Sequence, residues 1–303
     1  MGYIYCSSNG GGIVNRLNCI FNAIFFQEIT GKKIVVHWND RHDSCHCALT
    51  DIYTPTDTSK LEICEDVSFP TDDFYLMVDW ENDEYLSREK NSINFRHFNQ
   101  NTFIQFLNSH SETTNYIIRT PNVYNFHIPM HFILNRFHSL LKINDSFKSF
   151  IHDFIQSEQF QVGLHIRLTE KIIVNNYNMD NFTRELLTIK NAHENSRILV
   201  CSDDKDIEQI AVETIGNCTH YIKTAKLEKK IEGRPFITWD DQETHGYFEN
   251  IVRNKEYSLD GFKDLYLLGS CEKIIGINTG GSTYTHLATL FTQIHVKDLF
   301  MSE

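Results

Sequence analysis

The sequence lacks the features that mark nucleic-acid-binding, membrane-spanning or secreted proteins. It has 28 Lys and Arg against 40 Asp and Glu, a formal net charge of −12, which argues against general binding to a phosphate backbone. It has no apolar run of the about 18 residues that a membrane span needs. Its first residues hold neither a basic nor a long apolar segment, so we expect no secretory signal. We expect a cytoplasmic protein, with peripheral contact to the inner face of a membrane left open.

The eight cysteines lack the CxxC pairs that are typical of zinc sites. Several lie in apolar runs, so we expect reduced, mostly buried thiols. A dense cluster of ligand-type residues consists of His37, His42, Cys45, His46 and Cys47. Because its spacing is not that of a zinc site and no second pair stands far from it, we expect no metal ion there.

The order of apolar segments predicts an α/β fold. With 303 residues, of which 41% are hydrophobic, the chain has the length of about two domains. Residues 3–38 read as strand, glycine turn, helix and strand, and residues 160–291 alternate strands with helices. Such alternation predicts parallel sheets with right-handed crossovers. We therefore expect two Rossmann-like domains, 1–155 and 156–303, with their sheets facing across a cleft.

Three segments do not share this alternation. Residues 39–100 are polar and irregular, so we expect loops with a few short elements. Residues 101–156 have the apolar spacing of helices. Residues 226–256 read as a polar loop, and its Asp240, Asp241 and His245 are candidates for a lid or for acceptor binding.

Ligands of parallel sheets bind beyond the carboxyl ends of the strands, and the first such end carries a glycine turn. Gly12 and its neighbours let backbone amides approach an anion at the start of a helix. Asn15 and Arg16 follow in the first helical turn, where a cation opposes the helix dipole. Arg16 therefore either holds a ligand or is a solvated arginine beside a tight turn.

A second strand end places two basic side chains on one face. In residues 160–168, alternation puts His165 and Arg167 on the same side of the strand. Both are costly to bury without partners. A diphosphate would satisfy Arg167 through bidentate contacts, and the alternative is a structural network of His, Arg and Glu.

Two further strand ends carry polar groups suited to a ligand. Of Asp203 and Asp204, one can cap the next helix and the other can accept hydrogen bonds from a base or a ribose. Before the last helix, backbone amides and hydroxyls form a turn suited to an oxyanion, at Thr279, Gly280, Gly281, Ser282 and Thr283. The alternative at both places is an ordinary helix cap.

Taken in order, these segments resemble the fucosyltransferase superfamily, which includes the α1,6-, α1,2- and protein O-fucosyltransferases. Residues 12–16 (GIVNR) are similar to its Gly-x-x-Asn-Arg/Gln turn, and residues 165–171 (HIRLTEK) to its HxRRxD block. Residues 201–204 (CSDD) resemble its ATDD strand end, and residues 264–282 its DLxxLSxCDxxxGTxSSxxS block. The resemblance implies a GT-B fold and an inverting transfer of L-fucose from GDP-fucose to a hydroxyl of a glycan acceptor, with no metal and no other cofactor.

The resemblance also implies roles for the candidate residues. Arg167 would clamp the β-phosphate, and His165 would lie against the nucleotide. We take Arg167 and Glu170 as the catalytic candidates, and the general base stays open among Glu170, Asp180, Asp240, Asp241 and His245. Asp203 or Asp204 would read guanine. Residues 279–283 would hold phosphate oxygens, whereas Gly12, Asn15 and Arg16 would line the opposite wall.

Three departures from the family pattern keep alternatives open. Leu168 replaces the second arginine of HxRRxD, and Glu170 replaces its aspartate. Asn175 stands where the α1,6 enzymes have an acid that serves as base. The alternatives are a transferase for another nucleotide sugar and a non-catalytic relative that binds a nucleotide or a glycan. The oligomeric state is left open.

Overall fold

The computed structural model of the chain divides into two compact units, Met1–Phe147 and Lys148–Glu303. The division falls inside the helix Asp145–Glu158, and the expected boundary between 155 and 156 lies further along the same helix. The structure describes residues 2–7, 12–38, 45–64, 74–78, 92–94, 100–110, 112–119, 129–167, 179–220, 223, 237–239, 247–249, 252–277 and 282–301.

The first unit is built on a six-stranded parallel sheet. In spatial order its strands are β4 (Leu61–Cys64), β2 (Lys33–His37), β1 (Tyr3–Ser7), β7 (Asn115–Ile118), β5 (Phe74–Val78) and β6 (Ser92–Asn94). A separate antiparallel pair is formed by β3 (Tyr53–Pro55) and β8 (Leu141–Ile143). The helices described in this unit are α1 (Ile13–Thr30), α2 (Gln100–Asn108) and α3 (Met130–Leu140).

Helix α1 runs through the core of the first unit because it is apolar on most of its surface. Its Phe21 ring packs edge-on against Phe137 of α3 at 5.2 Å, and its Phe26 ring packs against Phe103 of α2 at 5.1 Å. The helix ends at Gly31, whose φ of 68° is the left-handed conformation that favours glycine. The chain then enters β2, which lies beside β1 in the sheet.

The second unit is built on a four-stranded parallel sheet. In spatial order its strands are β11 (Cys218–Thr219), β10 (Ile198–Ser202), β9 (Val162–Ile166) and β14 (Lys273–Ile277). A short antiparallel pair is formed by β12 (Ile237–Trp239) and β13 (Tyr247–Glu249). The helices are α4 (Asp145–Glu158), α5 (Met179–Ala192), α6 (Lys205–Ile215), α7 (Lys255–Gly269), α8 (Thr283–Gln293) and α9 (Asp298–Met301).

The central strands of this second sheet are buried along their whole length. Helices α5 and α6 cover the sheet with a cluster that includes Phe182, Leu186 and Ala211, packed against Leu164 and Val200. Near-continuous apolar strands covered by helices are typical of parallel sheets. The predicted fold class, α/β with two Rossmann-like units, is confirmed.

Two predictions of local structure are wrong. The segment 39–100 agrees with the expected loops and few short elements, because it contributes the short strands β3 to β6, three of which belong to the large sheet. The segment 101–156, expected to be helical, also contains β7, which pairs with the central strand β1. The polar segment 226–256 contains the β12–β13 pair. These strands have three to five residues each, too few to show a clear period, and β7 pairs with β1, which lies far away in sequence.

Six of the eight cysteines are buried and all eight are free thiols, so the prediction of reduced, mostly buried thiols is confirmed. None of the helices that the structure describes has the length and apolarity of a membrane span.

Helices α7 and α8 cross closely at Gly269. A Cβ added there would lie 2.5 Å from Phe291 Cβ and 3.1 Å from Val296 Cγ1. In an open helix, alanine is more favourable than glycine by about 1 kcal/mol. Here the overlap dominates, because a Cβ cannot rotate away from a neighbouring Cβ.

We expect Gly269→Ala to lower the free energy of unfolding by about 1–3 kcal/mol, measured by urea denaturation. The matched control is Gly12→Ala, where no atom of the described residues, its chain neighbours aside, lies within 4 Å of the added Cβ. Its effect should stay below about 1 kcal/mol. Equal losses in the two variants would contradict the close crossing.

Candidate functional site

Strand register brings predicted ligand-binding segments to one edge of the second sheet. Ser202 of β10 lies beside Ile166 of β9, and Ile166 lies beside Ile277 of β14. The three strands are parallel and end at this level, with neighbouring strands about 4.8 Å apart. Asp203 and Arg167 therefore leave adjacent strands at the same edge, and the chain after Ile277 continues from that edge towards α8.

Arg167 is the first residue beyond β9, and its backbone amide donates a hydrogen bond to the Ile277 carbonyl at 3.3 Å. This bond extends the β9–β14 ladder by one step and fixes the backbone from which the side chain departs. The residue is half-buried.

His165 lies one row below the edge, beside Cys201 and Gly276. Only 7% of its surface is exposed. Its Nδ1 is 2.7 Å from the Thr285 hydroxyl in the first turn of α8, and its ring centroid is 5.0 Å from that of Tyr284. Burial, together with the nearby positive charges of Arg167 and Lys223, lowers the pKa of His165 to about 3. His165 is therefore a neutral imidazole at physiological pH.

The turn between β10 and α6 separates the roles of the two aspartates. Asp204 is the N-cap of α6, and its Oδ1 accepts hydrogen bonds from the backbone amides of Asp206 at 2.8 Å and Ile207 at 3.2 Å. Its carboxylate is thereby committed to the helix end. Asp203 is half-buried at the sheet edge. It is the better placed of the two for a base or a ribose.

Two residues beside Asp203 were not identified from the sequence. Burial and the negative charge of Asp203 raise the pKa of Tyr257 to about 12. The guanidinium carbon of Arg253 lies 5.9 Å from the centre of the Tyr257 ring. Both residues stand at the start of α7, where the sequence shows no recognisable motif.

A buried ionic cluster, also missed from the sequence, lies at the end of β10. Lys223 Nζ is 3.0 Å from Glu208 Oε1 and 2.9 Å from Asp264 Oδ2, and it also donates to the Ser202 carbonyl. Burial raises the pKa of Glu208 to about 7 and that of Asp264 above its usual range. The two carboxylates raise the pKa of Lys223 despite its burial. The lysine is thus a permanent cation between two acids.

The last helix begins beside the same edge. Ser282 caps α8, and its hydroxyl accepts from the backbone amide of Thr285 at 3.4 Å. Thr283 is the first helical residue, so the positive end of the helix dipole starts here. Thr279, Gly280 and Gly281 lie outside the described residues.

In the first unit, Gly12 is the exposed N-cap of α1 and Asn15 is half-buried. Arg16 has no exposed surface, and its guanidinium carbon lies 5.2 Å from the centre of the Trp38 ring. Trp38 in turn donates its Nε1 hydrogen to the Cys47 carbonyl at 2.8 Å. Arg16 is therefore not a solvated arginine, and a ligand contact by Arg16 stays a prediction.

Five further predicted positions lie outside the described residues, namely Glu170, Asp240, Asp241, His245 and, in the His and Cys cluster, His42. In that cluster Cys45 and Cys47 are buried with their sulfur atoms 3.8 Å apart. Within the described ranges, no group of three or more His, Cys, Asp or Glu side chains is arranged to hold a metal ion.

Comparison with solved structures identifies the fold. NodZ, an α-1,6-fucosyltransferase from Bradyrhizobium, matches in a crystal soaked with GDP-fucose with a TM-score of 0.59 and 14% identity, over 96% of this chain and 93% of that one. POFUT1 in complex with GDP-fucose matches with a TM-score of 0.56 and 8% identity, over 96% and 93% of the two chains. This chain has the fold of the fucosyltransferases. No protein-family model matches it, and no curated protein does either.

The likeness extends over nearly the whole chain and confirms, at the level of the fold, the resemblance that the sequence motifs indicate. It also gives the strand-end segments of the second unit a common setting. His165, Arg167, Asp203 and Ser282 come from two strand ends and one helix start of a fucosyltransferase fold, and they meet at one edge.

The environment of His165 predicts that its ring does not titrate near neutral pH. An NMR titration should show no change for this imidazole between pH 5 and 8, with His165→Gln used to assign its signals. Because the pKa is about 3 in the folded protein and about 6.5 in an unfolded chain, unfolding takes up a proton below pH 6.5. The stability that depends on this neutral ring is therefore lost as pH falls through that window. A midpoint near 6.5 would contradict the buried environment.

Proposed function

We propose that this protein is an inverting glycosyltransferase that moves L-fucose from GDP-fucose to a hydroxyl of a glycan acceptor without a metal ion. The observation that carries the proposal is the placement of Arg167, Asp203 and the start of α8 at one edge of the second sheet. Proteins of the same fold have been crystallised with GDP or GDP-fucose. The cytoplasmic location and the absence of a metal requirement stay predictions from the sequence.

In an inverting displacement, the acceptor oxygen bonds to C1 of the sugar while the bond from C1 to the diphosphate oxygen breaks. Negative charge then builds on the β-phosphate, and the main task of the protein is to stabilise it. Arg167 does so with a bidentate guanidinium. The start of α8, with Ser282 and Thr283, adds donors and a favourable dipole. In this proposal Glu170 takes up the proton that the acceptor hydroxyl loses.

The different positions of Asp203 and Asp204 decide which of them we assign to the nucleoside. Because Asp204 is committed to capping α6, we assign the hydrogen bonds from guanine to Asp203 alone. Neutral His165 lies beneath the nucleotide and adds no second charge to that of Arg167. Gly12, Asn15 and Arg16 are the proposed ligand-binding residues of the first unit, and Asp240, Asp241 and His245 are the proposed acceptor or lid residues.

Calorimetric titration with GDP, UDP and CMP, followed by a radiometric assay with GDP-fucose, tests the proposal. We expect GDP to bind most tightly and GDP-fucose to be hydrolysed slowly without an acceptor. Preference for UDP would favour the alternative of another nucleotide sugar, to which the departures at Leu168 and Glu170 point. Tight GDP binding with neither hydrolysis nor transfer would favour a non-catalytic relative.

The proposed role of Arg167 predicts that Arg167→Ala lowers the rate of donor cleavage by at least about 10²-fold. The thermal unfolding midpoint should stay close to that of the wild type, because the side chain is only half-buried. The matched control is Arg184→Ala, which removes an exposed arginine of α5 and should leave the rate unchanged. A near-wild-type rate for Arg167→Ala would refute the assignment.

A further inference from the structure

Hydrogen bonds fix the last residue of β10, Ser202, through both its backbone and its side chain. The backbone amide of Ser202 donates to Glu208 Oε1 at 3.1 Å, and its carbonyl accepts from Lys223 Nζ. Its hydroxyl accepts from the backbone amide of Asp204 at 3.2 Å. All three polar groups of the residue that precedes Asp203 are therefore engaged, two of them by Glu208 and Lys223.

Lys223 joins three elements of the second unit through one nitrogen atom. Its ammonium contacts Ser202 of β10, Glu208 of α6 and Asp264 of α7. The side chains of Lys223 and Asp264 are each 11% exposed and that of Glu208 is 4% exposed. Burying three ionisable groups is costly, and such clusters contribute little net stability compared with apolar packing. Their effect is better sought in the geometry that they impose.

The cluster fixes the turn that carries Asp203. We infer that Lys223 is a positioning residue, which acts through Glu208 and Ser202 to hold Asp203 in the conformation that binds the nucleotide. This inference rests on the function proposed above. Lys223 does not itself contact the ligand. Without its ammonium the Ser202 carbonyl loses a charged donor, and the two buried carboxylates lose the cation that keeps them together.

The cluster also couples this position to pH. Glu208 is faced by Lys223, by Asp264 from α7 and by the Cys201 thiol of β10. Because burial places the pKa of Glu208 near 7, the cluster gains a negative charge as pH rises through neutrality. A new negative charge next to the Asp203 turn opposes the binding of an anionic nucleotide.

The experiment compares Lys223→Met, the conservative Lys223→Arg and the control Lys190→Met. Lys190 is an exposed lysine of the same unit that also donates to a backbone carbonyl, that of Thr214, at 3.0 Å. Two quantities are measured on the full chain, namely GDP affinity by calorimetry and hydrogen exchange of the backbone amides of residues 203–206. Should Lys223→Met fail to fold, the double variant Lys223→Met/Glu208→Gln, which is free of an unpaired buried charge at these two positions, replaces it.

We expect Lys223→Met to weaken GDP binding by about tenfold or more and to speed exchange at residues 203–206 by a similar factor. Lys223→Arg should recover most of both, and Lys190→Met should change neither. Unchanged affinity and unchanged exchange in Lys223→Met would overturn the inference. If the wild type binds no GDP, the proposed function fails, and exchange alone then decides whether Lys223 holds the turn.

The variant Glu208→Gln allows a second measurement, the pH dependence of GDP affinity. A purely structural role of the cluster would not change this dependence. Between pH 6 and 8 the GDP affinity of the wild type should fall by about threefold more than that of Glu208→Gln. The comparison removes the ionisation of the nucleotide itself, which is common to both proteins. Parallel pH profiles would overturn the coupling of Glu208 to the site.

Discussion

The parallel register of β10, β9 and β14 ends three strands at one level, with Ser202 beside Ile166 and Ile166 beside Ile277. The candidate ligand contacts of the second unit follow from this row. Asp203 and Arg167 are the residues directly after their strands, and α8 is the next described element after β14 along the chain. A shift of register by one residue would turn Arg167 and His165 to the other face, into the apolar cluster under α5 and α6. The burial of Leu164 and Ile166 on that face therefore also fixes where the guanidinium can point.

Charge is distributed unevenly along this edge. His165 is neutral because it is buried, and Lys223 is compensated by Glu208 and Asp264. Neither adds free positive charge. Among the described residues near this edge, Arg167 and Arg253 are also cationic, and the start of α8 adds the positive end of a helix dipole. Net charge does not oppose this arrangement, because a protein with a formal charge of −12 can still present one local cationic site.

The alternation of strands and helices at both ends of the chain was sufficient to predict the fold class, and the strand ends were sufficient to predict which segments meet at one edge of the second sheet. The same reasoning could not find β7, because four residues, NYII, show no period and gain their place only by pairing with β1. It could not find the cluster of Lys223, Glu208 and Asp264 either. Lys223 lies in a polar stretch, and its partners belong to helices whose position depends on the packing of the whole unit.

Arg16 and Arg167 look equivalent in the sequence, since each follows a strand of a predicted parallel sheet. In the structure they differ in how deeply they are buried. Arg16 has no exposed surface and lies over Trp38, so the aromatic face supplies part of what water would otherwise give its guanidinium. Arg167 remains half-buried, with its backbone anchored to Ile277. Water reaches the side chain of Arg167 and does not reach that of Arg16. The sequence alone could not separate the two, because burial depends on how the distant elements of each unit pack around a strand end.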